Sequence, residues 1–313
     1  MHGETDNART LRGILFMLAT VTCFSVTDSI AKYVSPDYPA FQIVWTRYVF
    51  QSAFLLLFLL LTGHKPLGVV RTGRLGLQLG RATVNILSNC LFVFAVGFVP
   101  LADAVALGFV APLIVTALSV PLLRERVGIR RWSAVLVGFA GAMVMIRPGS
   151  GVLHWASSLI IVVAGLYSLY MIATRVLSET ERPATTLFYV TAMGLGSMSL
   201  VVPFVWTPAP LEIWALMAGQ GAMSGLAHWC LIKAFEHAPV SVVAPFNYAQ
   251  IVSAVAIGYA VWGDVPDLWS VAGALIIVLS GLYVMHREGA AARGSSARVR
   301  PLESRPRPSD PSP

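Results

Sequence analysis

Apolar runs of about 17 to 25 residues follow one another along almost the whole chain, and nothing else restricts its folding so severely. Each run is long enough to cross the roughly 30 Å hydrocarbon core of a bilayer as a helix. In that solvent every backbone N–H and C=O must be satisfied within the protein, which leaves helices or closed barrels. Barrel strands are about ten residues long and alternate in polarity; these runs are neither short nor alternating. The chain is 56% hydrophobic and 12% charged, with a mean hydropathy of +0.72, whereas a soluble domain carries roughly 25% charged residues. A water-soluble fold is thereby excluded, and the expected class is an all-α integral membrane protein.

Breaks at charged or Pro/Gly-rich segments delimit ten transmembrane helices. Five are predicted at Ile14 to Val34, Phe41 to Leu61, Leu75 to Val99, Leu101 to Leu123 and Trp132 to Ile146. The second five run from Trp155 to Leu177, Ala184 to Val205, Ile213 to Phe235, Val240 to Trp262 and Leu268 to Met285. Residues 1–12 are read as a cytoplasmic N-terminal tail, 13–147 and 154–286 as two five-helix repeats, and 287–313 as a disordered cytoplasmic tail. The first apolar run is longer than a signal-peptide core and lacks a small-residue cleavage site.

Lysine and arginine set the orientation, because they favour cytoplasmic loops. With the N-terminus inside, the 22 basic residues divide unequally. Lys32 and Arg147 fall at outer ends, Arg47 and Arg81 lie within spans, and the other eighteen are in inner loops, in tails or at the inner ends of spans. Both termini are therefore expected in the cytoplasm. This topology also explains the basic pI near 9.6 without nucleic acid as a partner.

The halves repeat. At an offset of 139, Ala95 to Leu101 matches Ala234 to Val240, aligning Pro100 with Pro239, and Glu125 matches Asp264. At 140, Gly141 to Arg147 matches Gly281 to Arg287; at 143, Ser25, Lys32 and Ser35 match Ser168, Arg175 and Ser178. Because each copy holds an odd number of spans, the second must enter the membrane upside down, giving two inverted five-helix repeats. Halves of opposite orientation can exchange roles, so a state open to one side has a near mirror state open to the other.

These features resemble the drug/metabolite transporter superfamily, specifically its ten-helix EamA-type bacterial members, over about residues 11 to 287. The resemblance rests on the five-plus-five repeat, the helix-Pro-helix joints at Pro100 and Pro239, and the acids Glu125 and Asp264. It rests also on the opening stretches Phe24 to Lys32 and Gln42 to Tyr48. Many family members have Gly-Glu at the acidic positions, so both depart slightly. The resemblance implies a central cavity bounded by helices 3, 4, 8 and 9 with helices 1 and 6, in a transporter of small metabolites such as amino acids or vitamins in the cell inner membrane. It does not name the cargo.

Ionisable groups inside a bilayer cost about 2.5–3.5 kcal/mol each on insertion scales, so those present are candidates for function. The most informative pattern is a pair of stripes. Arg81, Asn85 and Asn89 on helix 3 are spaced four apart, and Gln220, Ser224 and His228 on helix 8 lie 139 residues later, position for position. Such spacing puts each set on one helix face, and the faces are expected to meet across the repeat interface and bind substrate, with Arg81 and His228 foremost. The alternative is hydrogen bonding between helices. Trp229, Asn247 and Tyr248 are further substrate candidates, and Gln250 a weaker one. Asp28 and Lys32, four apart, are expected to neutralise one another; with Arg47, a competitor for Asp28, they are candidates for gating or coupling. Asp103 suits the first turn of a helix, Pro112 and Pro245 suit bends, and Gly221 and Gly225 suit close helix packing.

No cofactor is expected. Cys23, Cys90 and Cys230 sit in apolar runs without metal or redox spacing. The absence of a GxxxxGK loop leaves gradient-driven or facilitated transport. An intramembrane enzyme would need a motif such as HExxH or GxSxG, and neither is present. A membrane sensor or assembly scaffold would leave the buried polar stripes without a role.

Overall fold

In the computed structural model, residues 2–61, 70–123, 129–146, 155–178, 180–181, 183–237 and 244–298 are described, and all regular structure among them is helical. The expected joint at Pro239 and the acid Glu125 lie outside these residues. The first half comprises α1 (His2–Val34), α2 (Ala40–Leu61), α3 (Leu75–Val96), α4 (Leu101–Gly108), α5 (Ala111–Leu123) and α6 (Ile129–Ile146). The second comprises α7 (Ala156–Ser178), α8 (Pro183–Val201), α9 (Leu211–His237), a 3-10 turn (Ala244–Tyr248), α10 (Ala249–Trp262) and α11 (Leu268–Arg298). Ten membrane spans result, with α4 and α5 sharing the fourth and the 3-10 turn leading into α10 as the ninth. Helix continues beyond the apolar runs at both ends of the chain, from His2 and through Arg298.

Two spans differ from their expected form. The fourth is interrupted by a turn at Phe109 and Val110, so Pro112 falls in the first turn of α5 rather than inside a helix. Proline suits that place, where its missing N–H would have no intrahelical partner. The ninth changes from 3-10 to α geometry after Tyr248. Phe109 and Tyr248 are equivalent at the offset of 139, so both halves interrupt the same position. The two rings meet at a tilt of 36° with centroids 4.7 Å apart, which places the pseudo-twofold axis between them.

Elsewhere the inverted symmetry repeats contact by contact. Thr20 Oγ1 donates to the Ala227 carbonyl at 3.4 Å; at the equivalent positions, Ser88 Oγ donates to the Val163 carbonyl at 3.3 Å. Ser25 Oγ donates to the Gln250 carbonyl at 3.4 Å, and its counterpart Ser168 Oγ to the Ala111 carbonyl at 3.0 Å. Gln220 Nε2 donates to the Thr27 carbonyl at 3.4 Å, where the other half sets Arg81 over the Tyr170 ring at 4.9 Å. Accordingly α1 packs along α9 as α7 packs along α3, and α2 against α9 as α8 against α3. The fifth and tenth spans pair with each other, where Gly141 lets the Gly273 carbonyl approach to 3.0 Å of a would-be Cβ. Lipid tails supply no hydrophobic drive between helices, so such close contacts and interhelical hydrogen bonds carry the assembly.

One fixed point is the turn before α9. Gln42, fully buried on α2, donates from Nε2 to the Thr207 carbonyl at 2.8 Å and accepts from the Thr207 N–H at 2.9 Å. Gln42→Ala leaves both backbone groups of Thr207 without partners. Thermal unfolding in detergent is expected to show a loss of about 1–3 kcal/mol.

Candidate substrate site

The site begins on α2, where Arg47 and Gln51 are four residues apart and share a face. Gly221 and Gly225 bring α9 hard against that face. A Cβ at Gly221 would lie 3.0 Å from the Arg47 carbonyl oxygen and 3.1 Å from the Gln51 nitrogen, and one at Gly225 would lie 2.5 Å from Phe54. α3 supplies the remaining wall with Asn85 and Asn89.

Arg47 joins the two polar stripes. Its Nη1 donates to Asn89 Oδ1 on α3 at 3.1 Å, and its Nε donates to Ser224 Oγ on α9 at 3.2 Å. Ser224 Oγ in turn donates to Gln51 Oε1 at 3.0 Å. The Tyr48 hydroxyl accepts from Asn85 Nδ2 at 3.3 Å and from Asn89 Nδ2 at 3.4 Å, and Asn89 Nδ2 also donates to the Asn85 carbonyl at 2.9 Å. All these partners of the guanidinium are neutral. Arg47 lies within electrostatic reach of Asp28, Tyr48 and His228. The Asp28 carboxylate, on α1, accepts from Gln250 Nε2 on α10 at 3.4 Å. Among the described residues, neither Arg47 nor Asp28 takes part in a direct ion pair.

The remaining candidates divide. His228 directs Nδ1 to the Ser224 carbonyl of its own helix at 2.7 Å and meets the Phe24 ring edge-on at 5.3 Å. With Gln51, Phe54, Leu55, Leu187, Gly225 and Trp229 it lines a small crevice beside the polar centre. Trp229 is held by an edge contact with Phe16 at 5.7 Å. Arg81 does not reach this centre: Nη1 donates to Thr174 Oγ1 at 3.0 Å and Nη2 to the Thr186 carbonyl at 2.6 Å, tying α3 to α7 and α8. Gln220 faces α1 at Thr27. Tyr248 buries its hydroxyl against Gly281, and Asn247 lies beside it in the 3-10 turn.

The expected pair of Asp28 and Lys32 is not formed. Lys32 Nζ instead contacts Asp264 Oδ2 at 2.9 Å and sits 4.7 Å over the Trp262 ring. A partner one turn away on the same helix competes poorly with one that also offers an aromatic face. Sequence reasoning missed Tyr48, Gln51 and the role of Gln250. The four-residue spacing of Arg47 and Gln51 was the available signal; the reach of Gln250 to Asp28 depends on how α1 and α10 cross.

Two inverted halves with charge and hydrogen-bonding groups gathered between them are the architecture of a multi-pass secondary transporter. The chain belongs to the EamA-like transporter family, whose model matches residues 11–147 and 154–285. It is 32% identical over 287 residues to a riboflavin transporter of Vibrio cholerae, covering 89% of this chain and 94% of that protein. It is 26% identical over 281 residues to an S-adenosylmethionine uptake transporter of Rickettsia prowazekii, covering 89% and 94%. The pseudopaline exporter CntI of Pseudomonas aeruginosa is 30% identical over 278 residues, covering 86% and 94%. A solved crystal structure with 16% identity shares the fold at a TM-score of 0.60, over 92% of this chain and 99% of that one.

Proposed function

We propose that the protein carries a small polar metabolite across the bacterial inner membrane by alternating access, with both termini in the cytoplasm. The observation that carries this reading is Arg47 bridging Asn89 and Ser224, one residue from each symmetry-related stripe. A bound solute that displaces those neutral partners engages both halves at once, which is how ligand binding biases a two-state carrier. In this reading Arg47, Tyr48, Gln51, Asn85, Asn89 and Ser224 contact the polar part of the solute, His228 and Trp229 its apolar part. Asp28 and Gln250 flank the centre. Arg81, Gln220 and Tyr248 hold the helices around it. The distribution of lysine and arginine supports the orientation.

The similar proteins are named for riboflavin, S-adenosylmethionine and pseudopaline, and for uptake as well as export. Purified protein in liposomes preloaded with unlabelled solute should therefore exchange a labelled member of a panel containing riboflavin, S-adenosylmethionine and amino acids. Exchange no faster than in empty liposomes across that panel would sink this reading.

A further inference from the structure

One seam of the protein runs along α1 from the polar centre toward the C-terminal end of that helix. Along α1, Ser25 donates to the Gln250 carbonyl at 3.4 Å, Asp28 accepts from the Gln250 amide at 3.4 Å, and Lys32 reaches Asp264 at 2.9 Å. The three residues lie three and four apart, on one face of the helix, and all their partners belong to the ninth span or the turn that ends it. Asp264 is held rigidly. Gly263 adopts the left-handed conformation at φ 71°, its N–H donates to the Tyr259 carbonyl at 3.0 Å, and the Asp264 N–H donates to the Gly258 carbonyl at 3.3 Å. Glycine tolerates that φ without strain, so the turn presents the carboxylate at a fixed place. The Lys32 side chain is only 12% exposed and is covered by Trp262.

The seam ties α1 to the ninth span at this end of the helix. Next to it, Gly97 at the end of α3 approaches Ser35 so closely that a Cβ would lie 2.8 Å from its hydroxyl. The crevice lined by Gln51, Phe54, His228 and Trp229 lies on the other side of Arg47 along α2 and α9. The crevice and the Lys32–Asp264 pair thus lie on opposite sides of Arg47.

Resting on the reading of the polar centre as a carrier site, we propose that the Lys32–Asp264 ion pair is a latch. It holds α1 to the ninth span in the state captured here, and it must part for the site to face the Lys32 side. Asp28 gives the released cation a second partner one turn back on its own helix, with the acid N-terminal to the lysine, the favoured order. Lys32 thus moves between two carboxylates without being left unpaired in a poorly hydrated seam, where an unpaired charge is costly.

The test reads accessibility and needs no substrate, so it succeeds or fails independently of solute exchange. In the full chain with Cys23, Cys90 and Cys230 replaced by alanine, Ser224→Cys serves as reporter. A membrane-impermeant maleimide is applied separately to intact cells and to inside-out vesicles. Lys32→Met and Asp264→Asn, each close in volume to the native residue, are expected to raise labelling about tenfold from the cell exterior alone. The charge swap of Lys32→Asp with Asp264→Lys should return labelling to near the parent rate. Unchanged labelling in variants that retain the parent's melting temperature overturns the latch. So does an equal rise from both faces, which signals general loosening, and so does a swap that fails to restore the parent rate. Lys32→Gln and Asp264→Ser, which remove the same charges, stand in for a variant that fails to fold; the same rise from the exterior alone is expected of them, and unchanged labelling there overturns the latch as well.

Discussion

Arg47→Ala is expected to abolish solute exchange in proteoliposomes while leaving a folded, ten-span protein. Among the described residues of α2, Arg47 is the one that hydrogen-bonds to both α3 and α9, through Asn89 and Ser224. Removing it leaves no cation at the centre to meet an anionic or dipolar group of the solute. Truncating one partner of a buried, charge-assisted contact costs about 2–5 kcal/mol, so affinity falls at least roughly thirtyfold. Arg47→Lys keeps the charge but not the fork that addresses Asn89 and Ser224 together, and exchange should recover only in part. Arg81→Ala makes the informative contrast. Its Nη1 and Nη2 bond to Thr174 and the Thr186 carbonyl, where α3 meets α7 and α8. Losing those bonds should lower the melting temperature of the purified protein, while the solute affinity of the fraction that remains folded is kept. Equal losses of affinity from Arg47→Ala and Arg81→Ala would show that the centre has been placed wrongly.

The contrast also marks how far the sequence could be read. Hydropathy, charge bias and the offsets of 139 to 143 were enough for ten spans in two opposed halves, because each signal is periodic or one-dimensional. Those offsets pair Ser25 with Ser168 and Thr27 with Tyr170, and in the folded protein each of these residues makes its counterpart's contact. The polar stripes were visible for the same reason. What spacing alone does not contain is which neighbouring helix each residue of a stripe meets. Asn85 and Asn89 meet Tyr48 and Arg47 on α2, whereas Arg81, one turn earlier and with a longer side chain, reaches Thr174 on α7 and the Thr186 carbonyl on α8. Lys32 shows the same gap in another form. Its neighbour in sequence is Asp28, but the partner it takes lies 232 residues away, on a turn whose position is set by packing.

Two glycines on one helix give the sharpest test of that packing. Gly219 and Gly221 both lie within α9, and helix propensity favours alanine over glycine at each by about 0.5–1 kcal/mol. A Cβ at Gly219 meets nothing within 4 Å, so Gly219→Ala should leave exchange unchanged and hold or raise the melting temperature. At Gly221 the added carbon meets backbone atoms of α2 at Arg47 and Gln51, at 3.0 and 3.1 Å, together with Phe50 Cβ. Backbone atoms cannot swing aside as a side-chain tip can, so α2 and α9 must separate. Forced overpacking of this kind costs about 1–3 kcal/mol. The hydrogen bonds from Arg47 to Asn89 and Ser224 measure 3.1 and 3.2 Å; a shift of about 0.5 Å takes them past the range in which such bonds hold. Gly221→Ala should therefore lower the melting temperature and cut exchange severely, from a change of one methyl group that touches no solute. If Gly221→Ala behaves like Gly219→Ala in both measurements, α2 is not clamped against α9, and the register that brings Arg47 between the two stripes is wrong.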